Sequence, residues 1–368
     1  MVCGVPMRET QVKDFLRTSG WAAAARFPLG QDASTRRYER LVRADGQTAL
    51  LMDAPLVEDA PCPPDADEAT RLAMGWNAAT RLAASRVEAY VALAGELRAR
   101  GLSAPDVYAH DRETGLALIE DFGTAREFAR LIERGAADEV ALYEAAAETL
   151  ARLHAGPPPA AAHGHGEAWP ILAFDRLALA TNADLFIEWI PHLDPRSRVD
   201  EAAWSRWRAA RDALIDQAMD FPRAFTLRDY HAENLIWLPE REAVARVGLL
   251  DFQDAVIGWE AWDLAMLTQD ARRPVSEAAR EAALSRYVDL SGVRRADLDA
   301  RLAVIGALNA LRIAGVFARL VVRDDKPRYR AFLPRQMSIL AGNLAHPAAA
   351  DMAALVRDVA PFVFEEPA

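Results

Sequence analysis

Only two of the 368 residues are cysteine, Cys3 and Cys62, and only two are lysine, Lys13 and Lys326. Two thiols build neither a disulfide framework nor a four-thiolate zinc site, so a reduced compartment, the cytoplasm, is expected. Basic residues are outnumbered by acidic ones, 43 to 54, which leaves a formal net charge of −11. Broad nucleic-acid binding depends on basic groups displacing counterions from phosphates. No such excess exists, so nucleic acid is not an expected partner, although a few local arginines can still hold an anionic substrate. No uninterrupted apolar run approaches the roughly 20 residues that cross a bilayer. The opening MVCGVPMRETQVKDFL lacks the basic and then apolar layout of a secretory signal. A membrane is therefore not expected as a partner either. Internal repeats and heptad seams are missing too, and nothing in the chain signals an oligomeric state.

What is present is the composition of a well-cored globular protein, 52 % hydrophobic and 26 % charged. Residues 8–26 read as an amphipathic helix anchored by Val12, Phe15, Leu16 and Trp21. Two strands, 37–43 and 48–53, follow around the turn Ala44-Asp45-Gly46. After a Pro-rich acidic loop, 55–64, residues 66–100 read as helix, interrupted near Gly75 or Ser85 and stopped at Gly101. Strands at 107–110 and 116–120 close this part. Beyond Phe122 helices dominate, at 138–154, 175–189, 199–219, 259–269, 276–289, 295–323 and 328–342. The run Gly156-Pro157-Pro158-Pro159 reads as a surface loop, and a single strand-rich patch lies at 225–238 and 245–252. The pattern predicts an α+β protein of two lobes, a small mixed N-lobe over 1–122 and a large helical C-lobe over 123–368, with the ligand cleft between them.

One stretch carries chemistry. Leu227-Arg228-Asp229-Tyr230-His231-Ala232-Glu233-Asn234 is followed, a short interval later, by Val247-Gly248-Leu249-Leu250-Asp251-Phe252. Phosphoryl transfer needs a carboxylate to orient and deprotonate the attacking hydroxyl, and hard oxygen ligands to hold magnesium on nucleotide phosphates. Asp229 and Asn234 are spaced so that one loop aims the first at substrate and the second at metal. Asp251 ends an apolar strand, where its carboxylate can face a cleft.

These residues resemble the aminoglycoside phosphotransferase and choline-kinase superfamily, a branch of the protein-kinase-like fold, whose catalytic loop reads H-x-D-x-x-x-x-N and whose metal strand ends in I-D-F or I-D-W. The resemblance, which runs from about residue 26 to 345, implies a bilobal kinase with ATP and Mg2+ as cofactors. It implies Asp229 as catalytic base and Asn234 and Asp251 as magnesium ligands. Gly258 to Leu264 matches the family's G-x-x-x-x-D-L helix start, so Asp263 is expected to brace the catalytic loop. Leu116 to Gly123 resembles the hinge, where backbone near Glu120 to Phe122 would pair with adenine, and Leu150 to His154 resembles the end of the first C-lobe helix. Leu227 stands where the family has histidine, a supporting position.

The departure with most chemical weight is the missing N-lobe lysine. The third strand reads Leu50-Leu51-Met52-Asp53, with Met52 or a neighbour in the lysine's place. The loop 30–38 offers Ser34, Thr35, Arg36 and Arg37 as a replacement phosphate cradle, since guanidinium forks suit phosphate oxygens. Gly30 to Tyr38, then Met52-Asp53-Ala54-Pro55, then Phe317 to Tyr329 resemble, more narrowly, the anomeric sugar kinases of bacterial cell-wall recycling. Those enzymes phosphorylate N-acetylmuramate and N-acetylglucosamine at the C1 hydroxyl. The resemblance implies a small-molecule amino sugar and a nucleotide as partners. Glu188, in the similar run Asp184 to Trp189, with Arg312 and Arg319, is the expected substrate-binding set; an arginine would meet the lactyl carboxylate of muramate. A kinase for an aminoglycoside or amino alcohol, and a catalytically inactive kinase-like scaffold, are the competing readings. His163 and His165 read as loop residues, and Trp204 and Trp207 as core. The stretch 63–85 reads as an insertion.

Overall fold

The computed structural model describes residues 5–30, 36–55, 61–83, 86–123, 125–194, 196–197 and 199–365. Ser34 and Thr35, and Ser85 at the expected helix break, lie outside the described residues.

Helix α1 (Val5–Thr18) precedes strands β1 (Ala25–Pro28), β2 (Arg37–Val42) and β3 (Thr48–Asp53). Helices α2 (Glu68–Met74), α3 (Trp76–Ala79) and α4 (Val87–Ala99) come next, then β4 (Val107–Asp111) and β5 (Leu116–Ile119). The five strands form one antiparallel sheet in the order β1-β2-β3-β5-β4. Alternation along β3 decides its two faces. Ala49 and Leu51, with Leu41, Leu116 and Leu118, pack under Val12, Phe15, Leu16 and Trp21 from α1 and the turn after it. Met52 faces the other way and joins the main core with Ala117 and Ile119. The expected helix 8–26 is corrected: α1 stops at Thr18, because the Thr18 and Ser19 hydroxyls bond carbonyls of its last turn and Gly20 turns left-handed at φ +76°.

The helical region opens with α5 (Phe128–Glu133) and α6 (Glu139–His154), then a hairpin, β6 (Ala161–Gly164) and β7 (Glu167–Pro170). Helices α7 (Arg176–Trp189) and α8 (Glu201–Met219) lead to four short strands, β8 (Ala224–Thr226), β9 (Leu235–Trp237), β10 (Val247–Leu249) and β11 (Val256–Gly258). Helices α9 (Glu260–Thr268), α10 (Glu277–Ser291), α11 (Arg295–Val322), α12 (Leu333–Leu344) and α13 (Ala350–Val359) complete the chain. The β6–β7 hairpin was not anticipated: His163 lies in a strand, and only His165 in the turn. Gly95 of α4 and Gly164 of β6 touch backbone to backbone, so closely that a Cβ on Gly95 would sit 2.4 Å from the Gly164 Cα. A 3-10 segment over Pro327–Phe332 and then α12, with Pro334 in its first turn, span 327–344 in place of one continuous helix. Helix α11 has the length and apolar character to cross a bilayer, but 67 % of that window is buried, packed on α7, α9 and α12.

The stretch 63–85 lies against the helical region. Its Arg71 and Arg81 both reach Asp175, the N-cap of α7, at 2.5 and 3.1 Å. Asp184, by contrast, is occupied structurally, accepting Trp207 Nε1 at 2.6 Å and Arg211 Nη1 at 2.5 Å.

Candidate active site

Two chain segments, 224–237 and 247–258, run antiparallel and pair twice. At one end β8 pairs with β11, and Thr226 faces Val256; at the other β9 pairs with β10, and Leu235 faces Leu249. Between these ladders the segments part into two facing loops, one carrying Asp229 and Asn234, the other Asp251. The Leu250 N–H donates to the Asn234 carbonyl at 3.0 Å, which ties the loops together beside Asp251.

Both loops hold a non-glycine residue in the left-handed region, Arg228 at φ +77° and Asp251 at φ +57°. Such backbone persists only where the surroundings over-determine it. At Arg228 they do. Asp263, fully buried, accepts the Leu227 N–H at 2.8 Å and the Arg228 N–H at 2.9 Å. Trp262 Nε1 donates to the Arg228 carbonyl at 3.2 Å. The buried Arg228 guanidinium lies over the Phe174 ring and donates to the carbonyls of Thr80 and Arg81 at 3.1 and 3.3 Å. The 63–85 stretch thus grips the residue next to Asp229, and its Ala83 N–H also bonds Asp254 at 2.6 Å, beyond Asp251.

Asn234 Nδ2 donates to the Asp229 carbonyl at 2.9 Å and lies 3.3 Å from His231 Nε2. Burial, then the charges of Arg272 and Arg312, pull the His231 imidazole down to about 3, so the ring is neutral and Nε2 accepts. With its amide nitrogen engaged, Asn234 presents Oδ1 to the cleft. Asp251 Oδ1 accepts from Arg36 Nη2 and from Gln253 Nε2, each at 3.0 Å. The Asp251 side chain is enclosed on most sides but keeps a 43 % exposed face. Burial pushes its carboxyl above the usual range, opposed by Arg36 and reinforced by the negative charge of Asp229.

A cavity of about 420 Å³ contains Asn234, Asp251, Glu233, His231 and Arg272. A smaller one, about 80 Å³, contains Asp229, Arg272, Arg312, Asp270 and Phe317. Arg272 lines both, so the two meet at its side chain. Arg312 spends its Nε on Asn309 Oδ1 at 3.0 Å. Desolvation brings this guanidinium down to about 10, still charged at neutral pH, against the opposing negative charge of Asp229.

The crossing from β5 to the helical region runs through Glu120 to Gly123. Phe122 packs with Ile236, Leu238 and Leu250, and Gly248 leaves the room, since a Cβ there would meet the Phe122 ring at 2.9 Å. The Glu120 side chain bonds Arg241, and its N–H donates to the Asp106 carbonyl at 2.8 Å.

The structure therefore gathers Asp229, Asn234, Asp251, Asp263, Arg36 and Arg312. Arg37 is exposed at the start of β2. Glu188 is exposed on α7, and Arg319 lies over the Trp76 ring at 4.8 Å. Neither lines the cavity with Asp229; Arg319 is about 10 Å further along α11 than Arg312. Sequence reasoning missed Asp270 and Arg272, which follow α9 directly. The available signal was a charged Asp-x-Arg-Arg run abutting a helix too apolar for the surface. Among the described residues no group of three or more His, Cys, Asp or Glu could hold a metal alone.

The profile of the Phosphotransferase enzyme family matches residues 27–298. The N-acetylmuramate/N-acetylglucosamine kinase of Caulobacter vibrioides is 49 % identical over 350 residues, covering 94 % of this chain and 95 % of that one. Its namesake in Pseudomonas aeruginosa is 30 % identical, over 86 % and 83 %. In fold, the choline kinase LicA of Streptococcus pneumoniae superposes with a TM-score of 0.55 at 14 % identity, over 91 % of this chain and 99 % of that one.

Proposed function

The chain belongs to the phosphotransferase enzyme family, and on that premise we propose that it transfers the γ-phosphoryl group of ATP to the anomeric C1 hydroxyl of N-acetylmuramate and N-acetylglucosamine in the cytoplasm. Near-full-length similarity to a kinase named for those sugars supports the substrate class. The observation that carries the reading is the pairing, in one cavity, of Asp229 with the charged Arg312. A sugar with a lactyl carboxylate finds a charged guanidinium partner there.

In this reading Asp229 orients the anomeric hydroxyl and accepts its proton late in transfer. The ring oxygen withdraws electron density and makes that hydroxyl more acidic than an ordinary alcohol, so modest basicity suffices. Asn234 Oδ1 and the Asp251 carboxylate are the oxygens suited to hold magnesium. Bound there, the ion would neutralise charge on the nucleotide phosphates. Arg36, already at Asp251, is the guanidinium placed to replace the missing lysine beside those phosphates. Phe122, Ile236, Leu238 and Leu250 offer an apolar bed for adenine. With the Glu120 N–H given to Asp106, base recognition falls to the Glu120 carbonyl and the Phe122 N–H.

Phosphorus NMR of reactions with ATP, magnesium and a panel of amino sugars, aminoglycosides and amino alcohols tests this. An anomeric phosphate, seen as a doublet from coupling to H1, is expected with both sugars and is abolished in Asp229→Ala while nucleotide binding persists. Turnover of amino alcohols or aminoglycosides alone would overturn the substrate assignment.

A further inference from the structure

The cavity beside Asp229 contains a second carboxylate that the protein leaves half used. Asp270, just past the end of α9, is 5 % exposed. Its Oδ1 accepts the Arg272 N–H at 2.8 Å, but its Oδ2 is buried with no hydrogen-bond partner. Of the three arginines whose charges reach it, Arg272, Arg273 and Arg335, two are turned to other groups. Arg273 Nη1 donates to the Tyr143 hydroxyl at 3.0 Å, and Arg272 leans toward Glu233 and His231 at 3.4 Å. The other polar groups of the cavity wall are largely committed. Gln269 exchanges both amide bonds with Asn343, at 3.0 and 2.9 Å, and Arg312 gives Nε to Asn309.

A buried carboxylate oxygen without a donor is costly, and a fold keeps one where something else supplies the donor. A sugar hydroxyl is a donor of that kind. This step rests on the amino-sugar reading above. N-acetylmuramate carries its lactyl ether on O3, so apart from the anomeric hydroxyl the two sugars share only those at C4 and C6.

We propose that Asp270 determines acceptor specificity by accepting a hydrogen bond, through Oδ2, from the C4 or C6 hydroxyl of the sugar whose anomeric hydroxyl faces Asp229. The carboxylate thereby fixes the ring's orientation at a point remote from the reacting oxygen.

The test is a cycle of kcat/KM values for the wild type and Asp270→Ala on N-acetylglucosamine and its 4-deoxy and 6-deoxy analogues. The wild type should lose about 10- to 100-fold on one of the two analogues, as expected for a bond to a charged acceptor. Asp270→Ala should be slow on the parent sugar yet show no further loss on that analogue. Equal deoxy penalties in both proteins, or no penalty in the wild type, would overturn the assignment. Should Asp270→Ala fail to fold, as judged by lost ATP binding, Asp270→Asn keeps an oxygen for the Arg272 N–H but replaces the charged acceptor with a neutral amide. The deoxy penalty should then shrink to about a few-fold, and an unchanged penalty would overturn the assignment. A wild type that phosphorylates neither parent sugar would instead sink the amino-sugar reading, and this inference with it.

Discussion

The side chain of Asn234 donates to the backbone carbonyl of Asp229 at 2.9 Å. The residue proposed to hold the cation therefore also fixes the loop that carries the proposed base. Its removal should have two effects where removal of the other ligand has one. Asn234→Ala is expected to raise the magnesium concentration for half-maximal rate about tenfold or more, and to speed amide exchange across 229–234. Asp251→Asn should raise the magnesium requirement but leave exchange in that loop unchanged. Magnesium titrations with hydrogen-exchange mass spectrometry separate the two; identical exchange in both variants would refute the tether.

Arg312 should discriminate between the two proposed sugars. A bond from a guanidinium to the lactyl carboxylate is charge-assisted, so Arg312→Met is expected to cut kcat/KM for N-acetylmuramate by about 10- to 100-fold. N-acetylglucosamine lacks that carboxylate and should lose only a few-fold. Parallel steady-state kinetics on both sugars provide the check; equal losses would assign Arg312 to general packing around Trp262.

Asp263 is a stability residue as well as a brace. Its replacement by alanine leaves the Leu227 and Arg228 N–H groups buried and unpaired beneath a left-handed residue. At about 1–3 kcal/mol for each orphaned donor, a loss of roughly 3 kcal/mol is expected. Asp263→Asn, which keeps one acceptor, should lose about half as much. Urea unfolding measures both, and a loss below about 1 kcal/mol in the alanine variant would show that the loop stands without this support.

Asp270 should leave a mark on the pH dependence of stability. Burial pushes its carboxyl above the ordinary aspartate range, against the Arg272 N–H and nearby arginines. Between the unfolded value, about 3.9, and the raised folded one, the native state binds more protons than the unfolded chain. The contribution of Asp270 to stability is then greatest at low pH and declines as pH rises through the folded value. Relative to Asp270→Asn, the wild type should lose stability as pH climbs from about 4 toward neutrality. Urea midpoints of both proteins across that range should converge at the acid end, and parallel curves would contradict the shift.

The elements legible in the sequence were those encoded in contiguous residues. Short apolar runs in 48–53 and 116–119, each next to a turn, marked sheet strands. The breaks around Gly75 and Gly101 were visible because glycine there adopts positive φ. Less legible were the β6–β7 hairpin, which is too short and too poor in branched residues to stand out, and the halt of α1 at Thr18, which depends on hydroxyl-to-carbonyl bonds rather than on periodicity.

The order and spacing of Asp229, Asn234 and Asp251 were set by the sequence alone, because one loop and one strand end suffice to hold the proposed base and the two proposed oxygen ligands. The missing lysine was equally plain, since no fold can supply a residue type the third strand does not contain. Which arginine and which second carboxylate share the cavity with Asp229 was decided only when α9 and α11 packed together. That packing turned Arg312 and Asp270 toward Asp229 and left Glu188 and Arg319 elsewhere. The grip of Thr80 and Arg81 on Arg228 was equally invisible beforehand. Backbone carbonyls are the same in every residue, and only tertiary contact across about 150 positions gives two of them a purpose.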